Sequence, residues 1–274
     1  MVLKYLRTKF VFLSSISKRK AAEEAFKLFC TPQARQKRVL PGVFANAEKL
    51  EIAFQQYTLR GYRWNTGSQK KVLILHGFES TVANFENYIE ELVKKDYQVL
   101  AFDAPAHGFS SGKTIDAVIY KNLVQFIWTN FGPIDSFLTH SFGGLALCLA
   151  LEEIPHSPLI KIVLIAPAVE TKTAIDNFFA FLQLPSSLRA EFDAIIKMRG
   201  GHSPEWYSIA RMAPQIKGEV LFLQDMDDVL TPFSDVKPII DRNYSNFNFI
   251  VSEGLGHRRI YKDERTMQRI LEFL

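Results

Sequence analysis

The sequence predicts an α/β domain built on a mostly parallel sheet with helices on both faces, and three observations lead there. Short apolar runs bounded by turn residues recur along the chain and read as buried strands. Helix-period stretches separate most of them, so strand and helix alternate. The alternation lapses once, between Pro167 and Lys217, where about fifty residues carry a helical, aromatic pattern with no strand; a gap that long in a compact domain reads as a helical insertion. At 274 residues and 47% hydrophobic, the chain can bury one large core and an inserted subdomain. The expected division is a basic helical extension over 1–45, a sheet-bearing core over 46–167 and 216–274, and a helical cap over 168–215.

The first forty residues stand apart, with ten Lys or Arg against two Glu, while the rest of the chain holds 23 basic and 27 acidic residues. Met1 to Phe10 followed by Val11-Phe12-Leu13 has some look of a secretory leader, but the apolar run is short, Lys18-Arg19-Lys20 follows it, and no small-residue cleavage site appears. Two readings of the segment stand: a basic arm for an anionic lipid surface or nucleic acid, or a helix around Ala21 to Cys30 docked on the main domain with a solvated face. Glu51 to Trp64 patterns as a hairpin, and Lys71-Val72-Leu73-Ile74-Leu75 as a fully buried strand. Phe85, Tyr88, Ile89, Leu92 and Val93 then recur at helical spacing after Ser80, which is placed to cap the helix.

Strands are expected at Gln98 to Phe102, Ile134 to Leu138, Ile160 to Ile165, Glu219 to Leu223 and Asn248 to Val251. Helices over Ile115 to Trp128 and Phe142 to Glu153 link the earlier ones, and Met267, Ile270, Leu271 and Leu274 mark a final helical stripe. In the insertion, Phe178, Phe179, Phe181, Leu182 and Leu184 form one apolar group and Leu188, Phe192, Ile195, Ile196 and Met198 another. Such rings either line a site for an apolar substrate or hold the cap helices together.

Thr139-His140-Ser141-Phe142-Gly143-Gly144 falls at a strand-to-helix junction, where a tight backbone needs small residues after Ser141. A serine hydroxyl becomes a nucleophile when an imidazole takes its proton and a carboxylate orients that imidazole. Downstream, one strand runs into Asp225-Met226-Asp227-Asp228-Val229-Leu230-Thr231-Pro232, and the last strand runs into Ser252-Glu253-Gly254-Leu255-Gly256-His257, the only histidine beyond Asp228. Three aspartates so close would raise one another's pKa unless solvated or paired, so at least one is expected to face water.

The order Ser141, Asp228, His257, each following a strand, resembles the α/β-hydrolase superfamily over roughly residues 50 to 274. Ser141-Phe142-Gly143 matches the second half of the family's G-x-S-x-G elbow, with Thr139 in place of the first glycine. His76-Gly77-Phe78 resembles the H-G-x segment, which implies an oxyanion hole made by the backbone N–H groups of Phe78 and Phe142. Asp103-Ala104-Pro105-Ala106-His107-Gly108-Phe109-Ser110 is similar to the D-x-P-G-H-G-x-S turn, a structural element, with Ala106 replacing a glycine. The D-x-x-(V/T)-P spacing selects Asp228 as the acid, with Asp227 as the alternative.

The resemblance implies a serine hydrolase of an ester or thioester with an apolar part, working through an acyl-enzyme on a small-molecule acyl substrate. The alternative is a hydrolase-like protein that binds a small molecule or partner without turnover. No H-E-x-x-H, paired Cys/His spacing, phosphate loop or dinucleotide fingerprint is present, so neither metal nor cofactor is expected, and no nucleic-acid partner. His140, His156 and His202 have local packing or loop positions as their expected roles. Cys30 and Cys148 make no disulfide framework, and no apolar stretch approaches the roughly 18 residues of a membrane span. A cytoplasmic protein is expected, with peripheral contact to anionic membrane through residues 1–40 as one reading.

Overall fold

The computed structural model describes residues 2–35 and 39–274, so Lys37 and Arg38 of the basic segment lie outside the described residues. Eight strands form one sheet: β1 (Glu48–Phe54), β2 (Tyr57–Trp64), β3 (Lys70–Leu75), β4 (Tyr97–Phe102), β5 (Ser136–His140), β6 (Lys161–Ile165), β7 (Glu219–Asp225) and β8 (Phe247–Ser252). Their order is β1-β2-β4-β3-β5-β6-β7-β8, antiparallel through the β1–β2 hairpin and its junction with β4, and parallel from β4 to β8. This is the α/β-hydrolase fold with a helical insertion.

Alternate residues of each central strand feed two cores. Val72, Ile74, Leu138, Val163 and Leu221 face a layer containing α3 (Glu86–Lys94) and α11 (Glu264–Phe273). Leu73, Leu75, Phe137, Leu164 and Phe222 face α4 (Ala117–Phe131), α5 (Phe142–Leu151) and α9 (Phe233–Asp241) on the other side. With both faces covered, the strands are apolar throughout, which is why they read as continuous runs. After β3 the chain crosses to β4 on one side, and after β4 it crosses back to β5 on the other. The gap between the carboxyl ends of β3 and β5 is therefore the topological switch point, where an open α/β sheet leaves a crevice.

Three boundaries differ from the sequence expectation for physical reasons. Strand β5 begins later and runs to His140, because Ser136 through Thr139 pair with Val72 through Leu75 while His140 pairs with Ile165. Ser80 does not cap the following helix; a 3-10 turn over Val82–Phe85 intervenes, and the Val82 N–H is taken by Asp103 Oδ1 at 3.1 Å. Helix α4 starts at Ala117, not Ile115, because the Asp116 carboxylate caps it by accepting from the Ile119 N–H.

The basic segment is a helix pair, longer than the one helix expected. Helix α1 (Val2–Ile16) precedes α2 (Lys18–Phe29), and Ser17 breaks between them and caps α2 by accepting from the Lys20 N–H. The insertion between β6 and β7 contains α6 (Thr171–Leu182), α7 (Arg189–Gly200) and the short α8 (Ile209–Met212). Another short helix, α10 (Gly256–Arg259), follows β8. Phe26 and Phe29 of α2 meet Phe192 of α7 edge to face, with centroids 5.6 and 5.8 Å apart, and Phe29 also meets Phe178 of α6 at 5.2 Å. The cap's aromatic rings are thus committed largely to joining the N-terminal pair to the insertion. Among the described residues no helix is long and apolar enough to cross a membrane.

Phe192 is fully buried at the centre of this ring cluster. Phe192→Ala is expected to cost about 3–5 kcal/mol, whereas Phe181→Ala, at a side chain 65% exposed, is expected to stay within about 0.5 kcal/mol of wild type. Urea unfolding of the two variants measures the difference.

Candidate active site

The turn from β5 into α5 carries Ser141 with φ 52 and ψ −117, a conformation that costs a non-glycine residue about 1–3 kcal/mol. Hydrogen bonds on both sides over-determine it. The Ser141 N–H donates to Ile165 O at 3.0 Å, and the Ser141 carbonyl accepts from Gly144 and Ala168 at 3.0 and 3.1 Å. The glycines after it are required by close approach: a Cβ on Gly143 would come within 2.4 Å of the Leu75 carbonyl, and one on Gly144 within 2.9 Å of Pro167. Thr139 fits where the resemblance implies a glycine because its hydroxyl donates to Val163 O at 2.9 Å and the residue facing it across the turn is Gly144.

The structure brings Ser141, His257 and Asp228 into one hydrogen-bonded line. His257 Nε2 lies 3.0 Å from Ser141 Oγ, and His257 Nδ1 lies 2.7 Å from Asp228 Oδ2. A carboxylate only accepts, so Nδ1 carries the proton and Nε2 presents its lone pair to the serine hydroxyl. Asp228 is buried, and burial alone would raise its pKa. The His257 hydrogen bond and charge, with the Thr231 N–H and hydroxyl, outweigh that and hold the carboxyl below its ordinary range. Asp228 Oδ1 accepts from the Leu230 and Thr231 N–H groups at 2.8 and 2.9 Å, and Oδ2 from Thr231 Oγ1 at 2.7 Å.

The three neighbouring aspartates have separate roles. Asp227, the alternative acid, is exposed and accepts from the Gly254 N–H at 2.8 Å, away from the imidazole. Asp225 is fully buried at the end of β7 and ties down the loop that bears His257. Its carboxylate accepts from Ser252 Oγ at 2.7 Å, Gly256 N at 2.9 Å and Leu255 N at 3.1 Å. Burial opposes ionisation of Asp225, but these donors prevail and its pKa is lowered. Sequence reasoning missed Asp225 and Thr231 as positioning residues. A motif displays the acid but not which backbone N–H groups a neighbouring carboxylate will meet across the sheet.

The His76-Gly77-Phe78 segment lies against Ser141. A Cβ on Gly77 would come within 3.0 Å of the Ser141 Cβ, so only glycine lets this peptide approach so closely. The Phe78 and Phe142 N–H groups have no acceptor among the described residues, and their rings meet edge to face with centroids 6.0 Å apart. Phe142 N stands at the amino end of the ten-residue α5, where the helix dipole favours negative charge.

Two buried histidines hold this segment from behind. His76 Nε2 accepts from the Ala104 N–H at 3.0 Å, and His107 Nε2 accepts from the Glu79 N–H at 3.0 Å. Each ring therefore carries its proton on Nδ1, donated to the Gly77 carbonyl at 2.8 Å and the Pro105 carbonyl at 3.0 Å. Asp103 closes the turn by accepting from Phe109 N at 3.0 Å, and Ala106 takes the left-handed φ of 68 that the family's glycine would adopt freely. His140 packs between His257 and Tyr261 and donates from Nε2 to the His257 carbonyl at 3.0 Å, which steadies His257 from its backbone side. His202 stacks on Trp206, and His156 accepts from the Lys217 N–H, both outside this cluster. Among the described residues no three His, Cys, Asp or Glu side chains gather as metal ligands.

Residues 66–208 match the protein family described as serine aminopeptidase, S33. A probable serine hydrolase of Drosophila melanogaster is 25% identical over 173 residues, 55% of this chain and 51% of that protein, so the chain spans about half the length of this relative. YqkD, an uncharacterized protein of Bacillus subtilis, is 23% identical over 239 residues, 80% of this chain and 75% of its own. Among solved structures, an esterase of Pyrococcus furiosus superposes with a TM-score of 0.66 at 24% identity, covering 89% of this chain and 96% of that one.

Burial lowers the pKa of His76 to about 4 and of His107 and His140 to about 3, with neighbouring imidazole charge adding to the last two. Between those values and the unfolded histidine pKa of about 6.5, the unfolded chain binds more protons than the native one, so stability falls as the pH drops through that window. Each group contributes up to about 1.4 kcal/mol per pH unit. Urea unfolding at pH 7, 6 and 5 (about two units across the window) is expected to show the steepening loss, and His140→Gln to make it shallower.

Proposed function

This chain belongs to the serine aminopeptidase S33 family within the α/β-hydrolase superfamily, and from that premise we propose that it hydrolyses an ester or thioester bearing an apolar acyl group. The observation that carries the reading is the line of hydrogen bonds from Ser141 Oγ through His257 to Asp228. In this mechanism Ser141 Oγ attacks the substrate carbonyl as His257 Nε2 takes its proton, and the ionised Asp228 stabilises the resulting imidazolium. The charge on the carbonyl oxygen develops toward the N–H groups of Phe78 and Phe142, each such donor lowering the barrier by on the order of 3 kcal/mol. Collapse breaks the bond to the alcohol or thiol, which leaves with the proton from Nε2. Water then attacks the acyl-enzyme by the same route, returning Ser141 and releasing the acid.

The apolar preference rests on the rings beside the serine and not on the cap's aromatic cluster. Phe78 and Phe142 flank Ser141, while Phe109, Val229 and Leu230 are exposed on loops at the carboxyl edge of the sheet. Ser141 itself is only 9% exposed, so the reacting carbonyl would be drawn out of bulk water.

A fluorophosphonate probe is expected to label wild type and not Ser141→Ala; a folded wild type that fails to label, or equal labelling of both, rejects the hydrolase and leaves a binding protein. Asp228→Asn is expected to lower kcat about 10³–10⁴-fold through loss of the correct imidazole tautomer, whereas Asp227→Asn leaves it near wild type. Rates on p-nitrophenyl esters from acetyl to palmitoyl are expected to peak at an intermediate or long chain; a monotonic fall from acetyl rejects the apolar acyl group.

A further inference from the structure

We propose that the outer face of the N-terminal helix pair docks on an anionic lipid bilayer. Helix α1 carries two apolar stripes. Leu3, Leu6 and Phe10 pack against the protein core, with Phe10 only 1% exposed. Tyr5, Phe12 and Ile16 point the other way and are 66%, 64% and 67% exposed. At helical periodicity Tyr5, Phe12 and Ile16 fall within an arc of about 40°. A helix that only covers its own domain needs one such stripe, so the second is left without a partner in the fold.

Exposed apolar side chains also occur on the insertion that this helix packs against. Arg7, in the middle of α1, donates from Nη2 to the Phe181 carbonyl at 2.9 Å, and the Phe181 ring is exposed. Arg19 reaches Met198 Sδ at 3.6 Å, and Met198 is 67% exposed. Cations rim this surface: Lys4, Lys18 and Lys20 are exposed and make no ion pair among the described residues, while Lys9 and Arg19 pair with Glu24 and Glu23.

Charge selects the occupant. A second copy placed face to face would set one cationic rim against the other, in a helix pair with seven Lys or Arg and two Glu. Nucleic acid would meet the cations but leave the aromatic and aliphatic side chains in water. An anionic bilayer satisfies both, taking Tyr5, Phe12 and Ile16 into the headgroup–acyl boundary while the lysines remain among phosphates. The surface does not depend on the hydrolase reading, since none of these side chains belongs to the Ser141 site.

The test is flotation of the full chain at low salt with vesicles of phosphatidylcholine and phosphatidylglycerol in equal parts, against vesicles of phosphatidylcholine alone. Wild type is expected to bind the anionic vesicles at least about tenfold more tightly. The combined variant Tyr5→Ser, Phe12→Ser, Ile16→Ser is expected to lose about tenfold or more at unchanged charge. Lys4→Gln, Lys18→Gln, Lys20→Gln together are expected to lose a similar amount and to flatten the salt dependence. All six side chains are exposed, so unchanged thermal melting verifies that both variants fold. The proposal is overturned if wild type stays with unbound protein, if the two vesicle types bind equally, or if the serine variant floats like wild type. A dimer that the serine changes dissolve, with no flotation of wild type, overturns it in favour of self-association.

Discussion

The close approach of α5 to the end of β3 is the constraint on which the site depends. Gly143 lets the helix backbone come against the Leu75 carbonyl, and Gly77 lets the opposite loop come against Ser141. Together these contacts hold the turn at a positive φ that an isolated peptide would abandon. They also bring the His76-Gly77-Phe78 segment alongside the turn that bears Ser141. The strain at Ser141 is sustained from outside its own strand, since its backbone bonds reach β6 and the loop beyond it.

Around that turn, charge and neutrality are sorted by burial and by donors. Asp228 and Asp225 stay ionised because backbone N–H groups and hydroxyls surround them, and each then orients something else: Asp228 the imidazole of His257, Asp225 the backbone that carries it. His76, His107 and His140 stay neutral because nothing anionic compensates their burial strongly enough. Neutral rings serve the loop well at His76 and His107, because each accepts on Nε2 and donates from Nδ1 and so links two backbone segments.

The N-terminal helices and the insertion form one layer, joined by Phe26, Phe29, Phe178 and Phe192. Their packing accounts for the aromatic richness of the insertion without assigning those rings to substrate. It also turns a second apolar stripe of α1 outward, beside lysines that make no ion pair among the described residues. The same helix therefore buries one face in the protein and presents another for a surface of different chemistry.

The sequence by itself determined the alternation of buried strands and helices and the helical insertion, because these follow from local periodicity, and its resemblance to a family pointed to Ser141, His257 and an aspartate, Asp228 or Asp227, through motifs confined to a few neighbouring positions. It could also separate the strands' order in sequence from their loops, since Gly143, Gly144 and the acid-bearing turn are short-range features. The tertiary structure alone decided the rest. Strand β5 extends through polar Thr139 and His140 because β3 and β6 bury it on both sides, which no hydrophobic run reveals. Asp103 took the role that Ser80 was expected to fill, reaching the Val82 N–H from a different strand's loop. The division of labour among Asp225, Asp227 and Asp228 was likewise invisible in a run of similar residues. What distinguishes them is which donors the adjoining β8 loop brings near, and that is set by register across the sheet, a long-range property that the order of residues does not display.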